Sequence, residues 1–184
     1  MITSSGPSQN AFSGMPALTE NDIIEYVKER FEEVKQDCTM GNLVTFHSNN
    51  KYLLLAHNQE KVNALGNIVA NHKKIKTAEV IYNYENYLIE TLNCTPTVKT
   101  HTNVLMHIFG FFGKFLNQKE KKTILRLIKQ YRKNQVNLGQ VLDKIEPITY
   151  QFNNMYLVSQ TYFLLYADSN NDSIFEKYEN SHPL

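Results

Sequence analysis

Cysteine and tryptophan are scarce in this 184-residue chain, which has two cysteines and no tryptophan. Cys38 and Cys94 lie far apart in the sequence and form no Cys-x-x-Cys pair. Neither a disulfide framework nor a cysteine zinc site is therefore expected, and a reducing compartment fits this composition. The formal net charge is only +1, so the chain as a whole has no strong attraction for nucleic acid or membranes.

Long apolar runs are also missing. The most apolar stretch, residues 104–116, is interrupted by His107 and Lys114 and is too short to cross a bilayer. The first residues, MITSSGPSQNAF, have neither the basic start nor the apolar block of a secretory signal. These absences predict a cytoplasmic protein without a membrane segment.

Charge is present but unevenly distributed along the chain. Residues 114–133 contain eight Lys or Arg and the single acid Glu120, a local balance of +7. Residues 1–40 contain seven acids and three bases, and residues 134–184 contain six acids and two bases, so each end has a balance of −4. The sequence therefore indicates a basic segment between two acidic ends.

Helical periodicity is the dominant pattern, and no segment alternates apolar and polar residues as a strand does. We predict an all-α, compact single domain of about seven helices over residues 19–167. Thr19 and Asp22 have the spacing of a capping box and predict the start of the first helix. Residues 1–18 are rich in Ser, Gly, Pro and Asn and predict a flexible lead, whereas residues 168–184 predict a loosely ordered acidic tail.

The helix predicted for residues 95–116 is the candidate for the centre of the fold. Thr95 is its expected N-cap, Pro96 its first helical position and Leu116 its end. Its apolar stripe, Val104, Ile108, Phe111 and Phe115, lies beside a polar stripe, Asn103, His107, Gly110 and Lys114. A short helix from Leu138 is expected to end at Pro147, and an apolar helix over residues 154–166 is expected to pack on the central one.

Several spaced motifs resemble the YbgA-like family, a bacterial domain of unknown function. They are FHSNNKYLLLAHNQEKVNALG at residues 46–66, HTNVLMHIFGFFGKFL at residues 101–116, the pair Tyr131-Arg132, and YLVSQTYFLLY at residues 156–166. The match covers about residues 42–167 and maps onto His47, Lys51, His57, His101, Asn103, His107, Gly110, Lys114, Tyr131, Arg132, Gln160 and Tyr162. The chain departs from the family pattern at Asn137 and at Leu165-Tyr166-Ala167, which affects the expected loop shapes at one end of a shared site.

The resemblance implies an accessory role and transfers no catalytic residue. Domains of this family are often fused behind a cysteine-bearing domain similar to thiouracil desulfidases, which use an iron–sulfur cluster, and their genes can neighbour a DNA photolyase. The cysteine-bearing half is missing here. The implied context is the metabolism of pyrimidines or thio-nucleobases, or nucleic-acid upkeep, with a separate desulfidase-like protein as a possible partner.

The matched polar residues suggest a site for a nucleotide-like or other anionic small molecule. Lys and Arg suit phosphate by charge and geometry, whereas amides and hydroxyls can orient a hydrogen-bonding edge. The predicted ligand residues are Lys51, His107, Lys114 and Arg132 for charge, and Asn103, Gln160 and Tyr162 for orientation. The alternative is that His107, Asn103 and Gln160 form a buried network that ties the helices together.

Four further residues, His47, His57, His101 and Tyr131, are secondary candidates. A metal site is not predicted, because His101 and His107 point to different sides of a helix and no HExxH motif occurs. No cofactor is expected. An enzyme with His107 or His57 as general base stays an alternative, as does a protein-interaction module with an exposed apolar patch.

A basic ridge on the next predicted helix could contact phosphate backbones. Its members, Lys122, Arg126, Lys129 and Lys133, recur at helical spacing. Such a ridge would give salt-dependent nucleic-acid binding, but most such ridges are solvated helix faces. Aromatic residues do not interleave with these charges, so stacking on single strands is not indicated.

Overall fold

The computed structural model describes residues 18–71, 73–151 and 155–167. These residues form nine α-helices and one 3-10 helix and contain no strand, which confirms the all-α class. The helices are α1 (Glu20–Asp37), α2 (Met40–His57), α3 (Gln59–Ala70), α4 (Thr77–Leu92), α5 (Val98–Phe112), the 3-10 helix (Gly113–Phe115), α6 (Gln118–Arg132), α7 (Leu138–Gln151), α8 (Met155–Val158) and α9 (Thr161–Tyr166). The predicted lead, apart from Leu18, and the predicted acidic tail lie outside the described residues.

Side-chain caps explain where several helices begin. At α1 the Thr19 hydroxyl accepts from the Asp22 N–H, and the Asp22 carboxylate accepts from the Thr19 N–H, so the predicted capping box is confirmed. The Asn58 side chain caps α3 by accepting from the Lys61 N–H at 3.0 Å. The backbone of Asn58 is extended, with φ −160° and ψ 117°, and this residue separates α2 from α3.

Helix α5 begins later and ends earlier than predicted. The prediction of Thr95 as N-cap is wrong: Thr97 is the N-cap, because its hydroxyl and that of Thr100 each accept the other residue's backbone N–H. The α-helix ends at Phe112, and the 3-10 helix leads from it to Leu116. The reciprocal bonds of Thr97 and Thr100 satisfy two N–H groups that the first turn of a helix otherwise leaves without an intrahelical partner.

Pro147 does not end its helix, in contrast to the prediction, because α7 continues through it to Gln151. A proline inside a helix removes one backbone donor, the one whose partner would be the carbonyl of Asp143. Asp143 and Pro147 are both exposed, so water can satisfy that carbonyl and the helix continues.

The apolar helix predicted for residues 154–166 is two short helices, α8 and α9. Gln160 is extended at ψ 121° and separates them. Its side chain makes hydrogen bonds to α2, which compensate for the interruption of the helical backbone. Apolar periodicity alone does not indicate the break at Gln160.

Helix α2 has the most helical neighbours. The sequence had instead indicated the segment 95–116 as the centre of the fold. Helix α2 packs against α1, α3, α4, α5 and α9, whereas α5 packs mainly against α2, α6 and α7. The last six residues of α2, from Tyr52 to His57, are all buried. A helix that is buried on all sides has no polar face to reveal its position by periodicity. None of the helices described here combines the length and hydrophobicity that a bilayer crossing requires.

Candidate functional site

Two buried histidines form the centre of a polar cluster where α1, α2, α5 and α9 meet. His101 Nδ1 lies 2.8 Å from the Tyr162 hydroxyl, and its ring contacts that of Tyr166 at 4.9 Å between centroids. The Tyr166 hydroxyl donates to Glu20 Oε1 at 2.8 Å. Together these contacts join the first and the last described helices through the interior.

His57 completes this cluster from α2. Its Nδ1–H donates to the Cys94 carbonyl at 2.7 Å, and its Nε2 lies 3.2 Å from Glu20 Oε1 without the alignment of a hydrogen bond. Because Nδ1 already carries the proton given to the carbonyl, attraction between Nε2 and Glu20 requires a second proton shared between them.

Burial favours the uncharged forms of three members of this cluster, His101, Tyr162 and Tyr166. Burial, with a smaller effect of the neighbouring His57, lowers the pKa of His101 to about 3. It also raises the pKa of the Tyr162 and Tyr166 hydroxyls well above the usual value, with Glu20 adding repulsion against each phenolate. His101 is 0% exposed, so the described structure offers its ring no open side to a substrate. The cluster therefore ties helices together.

Gln160, predicted to orient a ligand, is buried, and protein groups occupy its amide. Its Nε2 donates to the carbonyls of Ser48 at 2.7 Å and Tyr156 at 3.1 Å, and its Oε1 accepts from the Tyr52 N–H at 3.2 Å. Ser48 and Tyr52 are separated by four residues in α2, so they are the carbonyl and the amide of one helical turn. The Gln160 carboxamide thus bridges the backbone of α2.

Three of the predicted ligand residues share an outward face of α5 and of the 3-10 helix that follows it. Asn103, His107 and Lys114 follow one another at spacings of four and seven residues, with Gly110 between the last two, and we call this face the α5 stripe. The Asn103 amide donates to Gln59 Oε1 at 2.6 Å. Met106 and Phe111 border the α5 stripe, and the Phe111 ring stacks on Tyr156 at 5.2 Å.

The other predicted ligand residues lie elsewhere, so the structure does not gather all seven. Lys51 is exposed on α2 and Arg132 is exposed at the end of α6, whereas Gln160 and Tyr162 are buried. No described contact joins Lys51, Arg132 and the α5 stripe. The proposed role of these residues in ligand binding stays a prediction.

His47 and Tyr131 occupy separate partly buried and buried positions. His47 Nδ1 lies 3.0 Å from the Tyr84 hydroxyl, and burial, with a smaller effect of the Lys51 charge, lowers the pKa of His47 to about 4. The buried Tyr131 hydroxyl has no hydrogen-bond partner among the described residues, and burial raises its pKa. Both residues are held uncharged near neutral pH.

The exposed side of α6 is strongly basic. Lys119, Lys122, Arg126, Lys129 and Lys133 fall within an arc of about 80° around the helix, and we call this surface the basic face. None of the ion pairs between described residues involves them. An open depression beside the first turns of α6 is lined by Gln118, Lys119, Lys122, Thr123 and Arg126. The basic face is therefore available to an anionic ligand.

No metal-binding group emerges from the described residues. In residues 18–71, 73–151 and 155–167, no three side chains of His, Cys, Asp or Glu converge as metal ligands do. His101 is buried and His107 is exposed, in agreement with the different sides that their spacing gives them.

Comparison with known sequences assigns the family. The family described as "Protein of unknown function (DUF1722)" matches residues 51–167. The chain belongs to this YbgA-like family. An Escherichia coli (strain K12) relative, described as "Uncharacterized protein YbgA", is 31% identical over 129 residues, which cover 70% of this chain and 76% of the relative. No solved structure matches the chain.

The family match includes the basic face, the α5 stripe, Gln160 and most of the histidine cluster, but it begins after Glu20. Sequence reasoning missed the roles of Glu20, Tyr166 and Ser48. In the sequence, Glu20 fits the first turn of a helix, where acids are common, and Tyr166 fits an apolar core position. Their contacts span 146 residues of sequence, so no local spacing could have indicated them.

Proposed function

We propose that this domain binds a phosphate-bearing ligand of the nucleotide class on the basic face of α6, as an accessory domain in pyrimidine or thio-nucleobase metabolism. The observation that carries the proposal is the row of five exposed cations without a carboxylate partner among the described residues. Guanidinium and ammonium groups bind phosphate by charge-assisted hydrogen bonds, and such surface sites need no enclosed pocket when several charges act together.

The shape of the basic face favours an extended polyanion over a single nucleotide. The row from Lys119 to Lys133 spans fourteen residue-to-residue steps, which correspond to about 21 Å of helix. A small-molecule site encloses most of its ligand, whereas the depression beside α6 is open. An oligonucleotide, with several phosphates along its backbone, could contact several of these cations at once.

The test is a salt-dependent binding titration with the full chain. Fluorescent RNA and DNA strands of about 20 nucleotides are compared with a labelled uridine nucleotide at several salt concentrations. We expect the strands to bind more tightly than the nucleotide, with an affinity that falls as salt rises, because each neutralised phosphate releases counterions. Lys122→Glu with Arg126→Glu should weaken strand binding at least about tenfold and reduce the salt slope.

A matched control changes the same charge at other exposed lysines. Lys73→Glu with Lys99→Glu alters the net charge equally but leaves the basic face intact. Equal losses in both double variants would show that binding depends on net charge alone, and the proposal for α6 would be abandoned. Absence of strand binding at low salt would also overturn it.

The predicted ligand residues on the α5 stripe extend this test to small molecules. His107→Ala and Lys114→Ala change exposed side chains, so both variants should keep their helical content. A thermal-shift screen with nucleotides, thiopyrimidines and phosphorylated metabolites should give a stabilising ligand whose effect is lost in both variants. A ligand effect that persists in both variants would remove His107 and Lys114 from the site.

A second candidate function is docking of a separate protein, with the cysteine-bearing iron–sulfur partner of the family as the expected example. The observation that favours it is the exposure of large apolar side chains around α5: Met106 is 45% exposed and Phe111 is 43% exposed. Apolar residues clustered on a surface are typical of protein contacts. Pull-down of a purified desulfidase-like domain by the full chain, and its loss in Met106→Ser with Phe111→Ser, would test this candidate.

A further inference from the structure

Gly110 is a glycine that the fold itself does not require. It lies inside α5 with helical backbone geometry, since no described glycine has a positive φ. A Cβ atom added there would meet nothing within 4 Å. Glycine weakens a helix interior relative to alanine, so neither backbone conformation nor internal packing accounts for its presence.

Gly110 is exposed and leaves a gap between the larger side chains on the surface of α5, and we call this gap the groove. Around the helix, Gly110 lies between Met106 on one side and Phe111 on the other. Tyr156 stacks on Phe111 at 25° between ring planes and so holds this wall in place while Phe111 stays partly exposed. The groove therefore has an apolar side chain on each side and bare helix backbone at Gly110.

The groove carries the positive charge of Lys114 and the imidazole of His107. His107 lies one turn before Gly110 and Lys114 one turn after it, and both are exposed. The Lys114 ammonium lies 5.0 Å from the centre of the Phe115 ring, and none of the ion pairs among described residues engages it. A second copy of this face would bring like charges together, which disfavours a symmetric dimer through it.

We propose that the α5 stripe is a docking groove for an acidic amphipathic helix of a partner protein. The apolar residues of that helix pack between Met106 and Phe111, its backbone approaches α5 closely at Gly110, and its carboxylates face Lys114 and His107. The stripe from Asn103 to Lys114 is about 17 Å long, which corresponds to about three turns of a partner helix. This inference rests on the second candidate function and names the chemistry of the partner, and it is independent of the basic face of α6.

The experiment is a selection with a display library of helical peptides of about 16 residues against the full chain. We expect enrichment of amphipathic sequences with Asp or Glu beside an apolar face. Gly110→Gln should weaken the selected peptides at least about tenfold, because its side chain fills the groove, while the melting temperature stays the same or rises. Lys114→Glu should weaken the acidic peptides as well.

The chain provides a matched control for the glycine. Gly41 lies in α2 and also has open space around an added Cβ, so Gly41→Gln introduces the same side chain away from the stripe. Peptide affinity should stay within about twofold of the original in this control and in Lys122→Glu with Arg126→Glu. Binding of RNA and DNA strands to the basic face should be unchanged in Gly110→Gln. The two proposals can therefore fail independently, and the experiments show which one has failed.

Three results would overturn the inference. They are the absence of any enriched peptide, enrichment of sequences without carboxylates, and equal affinity of the peptides for Gly110→Gln. Sedimentation of the chain alone tests the competing occupant. A concentration-dependent dimer that disappears in Gly110→Gln would show that a second copy occupies the groove, and the acidic partner would be rejected.

Discussion

Gln160 was a predicted ligand residue, and both polar atoms of its side chain are hydrogen-bonded to the protein backbone. Its carboxamide donates to the Ser48 carbonyl of α2 and the Tyr156 carbonyl of α8, and it accepts from the Tyr52 N–H of α2. A side chain that is 2% exposed and fully hydrogen-bonded has little capacity left for a ligand. These contacts give Gln160 a structural role in joining the helices.

Gln160→Glu tests this role with an almost isosteric side chain. The carboxylate cannot donate to the carbonyls of Ser48 and Tyr156, and it would be buried. We expect the free energy of unfolding to fall by at least about 2 kcal/mol, measured by urea denaturation. The exposed Gln36→Glu should change it by less than about 0.5 kcal/mol. Equal effects of the two changes would contradict the bridging role.

The buried histidines predict how stability depends on pH. The folded-state pKa values of His101 and His47 are lowered to about 3 and about 4, whereas an unfolded histidine titrates near 6.5. Between these values the unfolded chain binds protons that the folded chain does not. Stability is therefore highest above pH 6.5 and falls as the pH drops towards 4, by up to about 1.4 kcal/mol per pH unit for each histidine.

His47→Gln isolates one of these protons. Urea unfolding between pH 4.5 and 7.5 should show a shallower loss of stability in this variant, by about one proton. Val62→Ala removes buried apolar atoms without changing a titrating group. It should therefore lower the free energy of unfolding at every pH and leave the slope of that free energy against pH unchanged. An unchanged slope in His47→Gln would show that His47 does not differ between the folded and unfolded states.

At the level of elements, the sequence predicted that a helix exists at α5 but not the residue at which it begins. The Thr-Pro-Thr segment offers two N-cap candidates, and the choice depends on the residue three positions later, which is Val98 after Thr95 but Thr100 after Thr97. Helix existence followed from periodicity, whereas this boundary depended on a reciprocal pair of hydroxyls. Similarly, the break before α9 depends on a contact with α2, 108 residues away.

Thr97→Ala and Thr95→Ala test the start of α5 directly. Loss of the N-cap at Thr97 should cost about 1 kcal/mol of unfolding free energy. Thr95 is exposed and precedes the cap, so its replacement should cost less than about 0.5 kcal/mol. Thermal and urea unfolding of the two variants provide the comparison. A larger loss of stability in Thr95→Ala than in Thr97→Ala would show that the helix begins at Thr95, as the sequence had predicted.

At the scale of the whole molecule, fold class was accessible from sequence because it follows from periodicity repeated over many turns. The relative placement of helices was not accessible. Residues 52–57 of α2 are buried all round, and the contacts of Glu20 with Tyr166 join opposite ends of the chain. The same limit applies to the site: the basic row was visible as a spacing, while the burial of Gln160 and Tyr162 required the packed structure.

The predicted domain extent, residues 19–167, has its own test. A chain of residues 18–167 contains every described helix, so we expect it to unfold cooperatively, with a melting temperature within about 4 °C of the full chain. Circular dichroism and calorimetry provide the measurement. A broad or much lower transition would show that residues beyond this range contribute to the core.

The hydrogen bond between Tyr166 and Glu20 also has a consequence for how this domain combines with others. It brings the first turn of α1 within side-chain reach of the end of α9. A neighbour tethered directly before α1 or directly after α9 would therefore emerge from the same region of the surface, and insertion of residues 18–167 into a host loop would need little spacer. The order of the helices could even be permuted, with the old ends joined by a short linker and new ends opened in the exposed turn between α3 and α4.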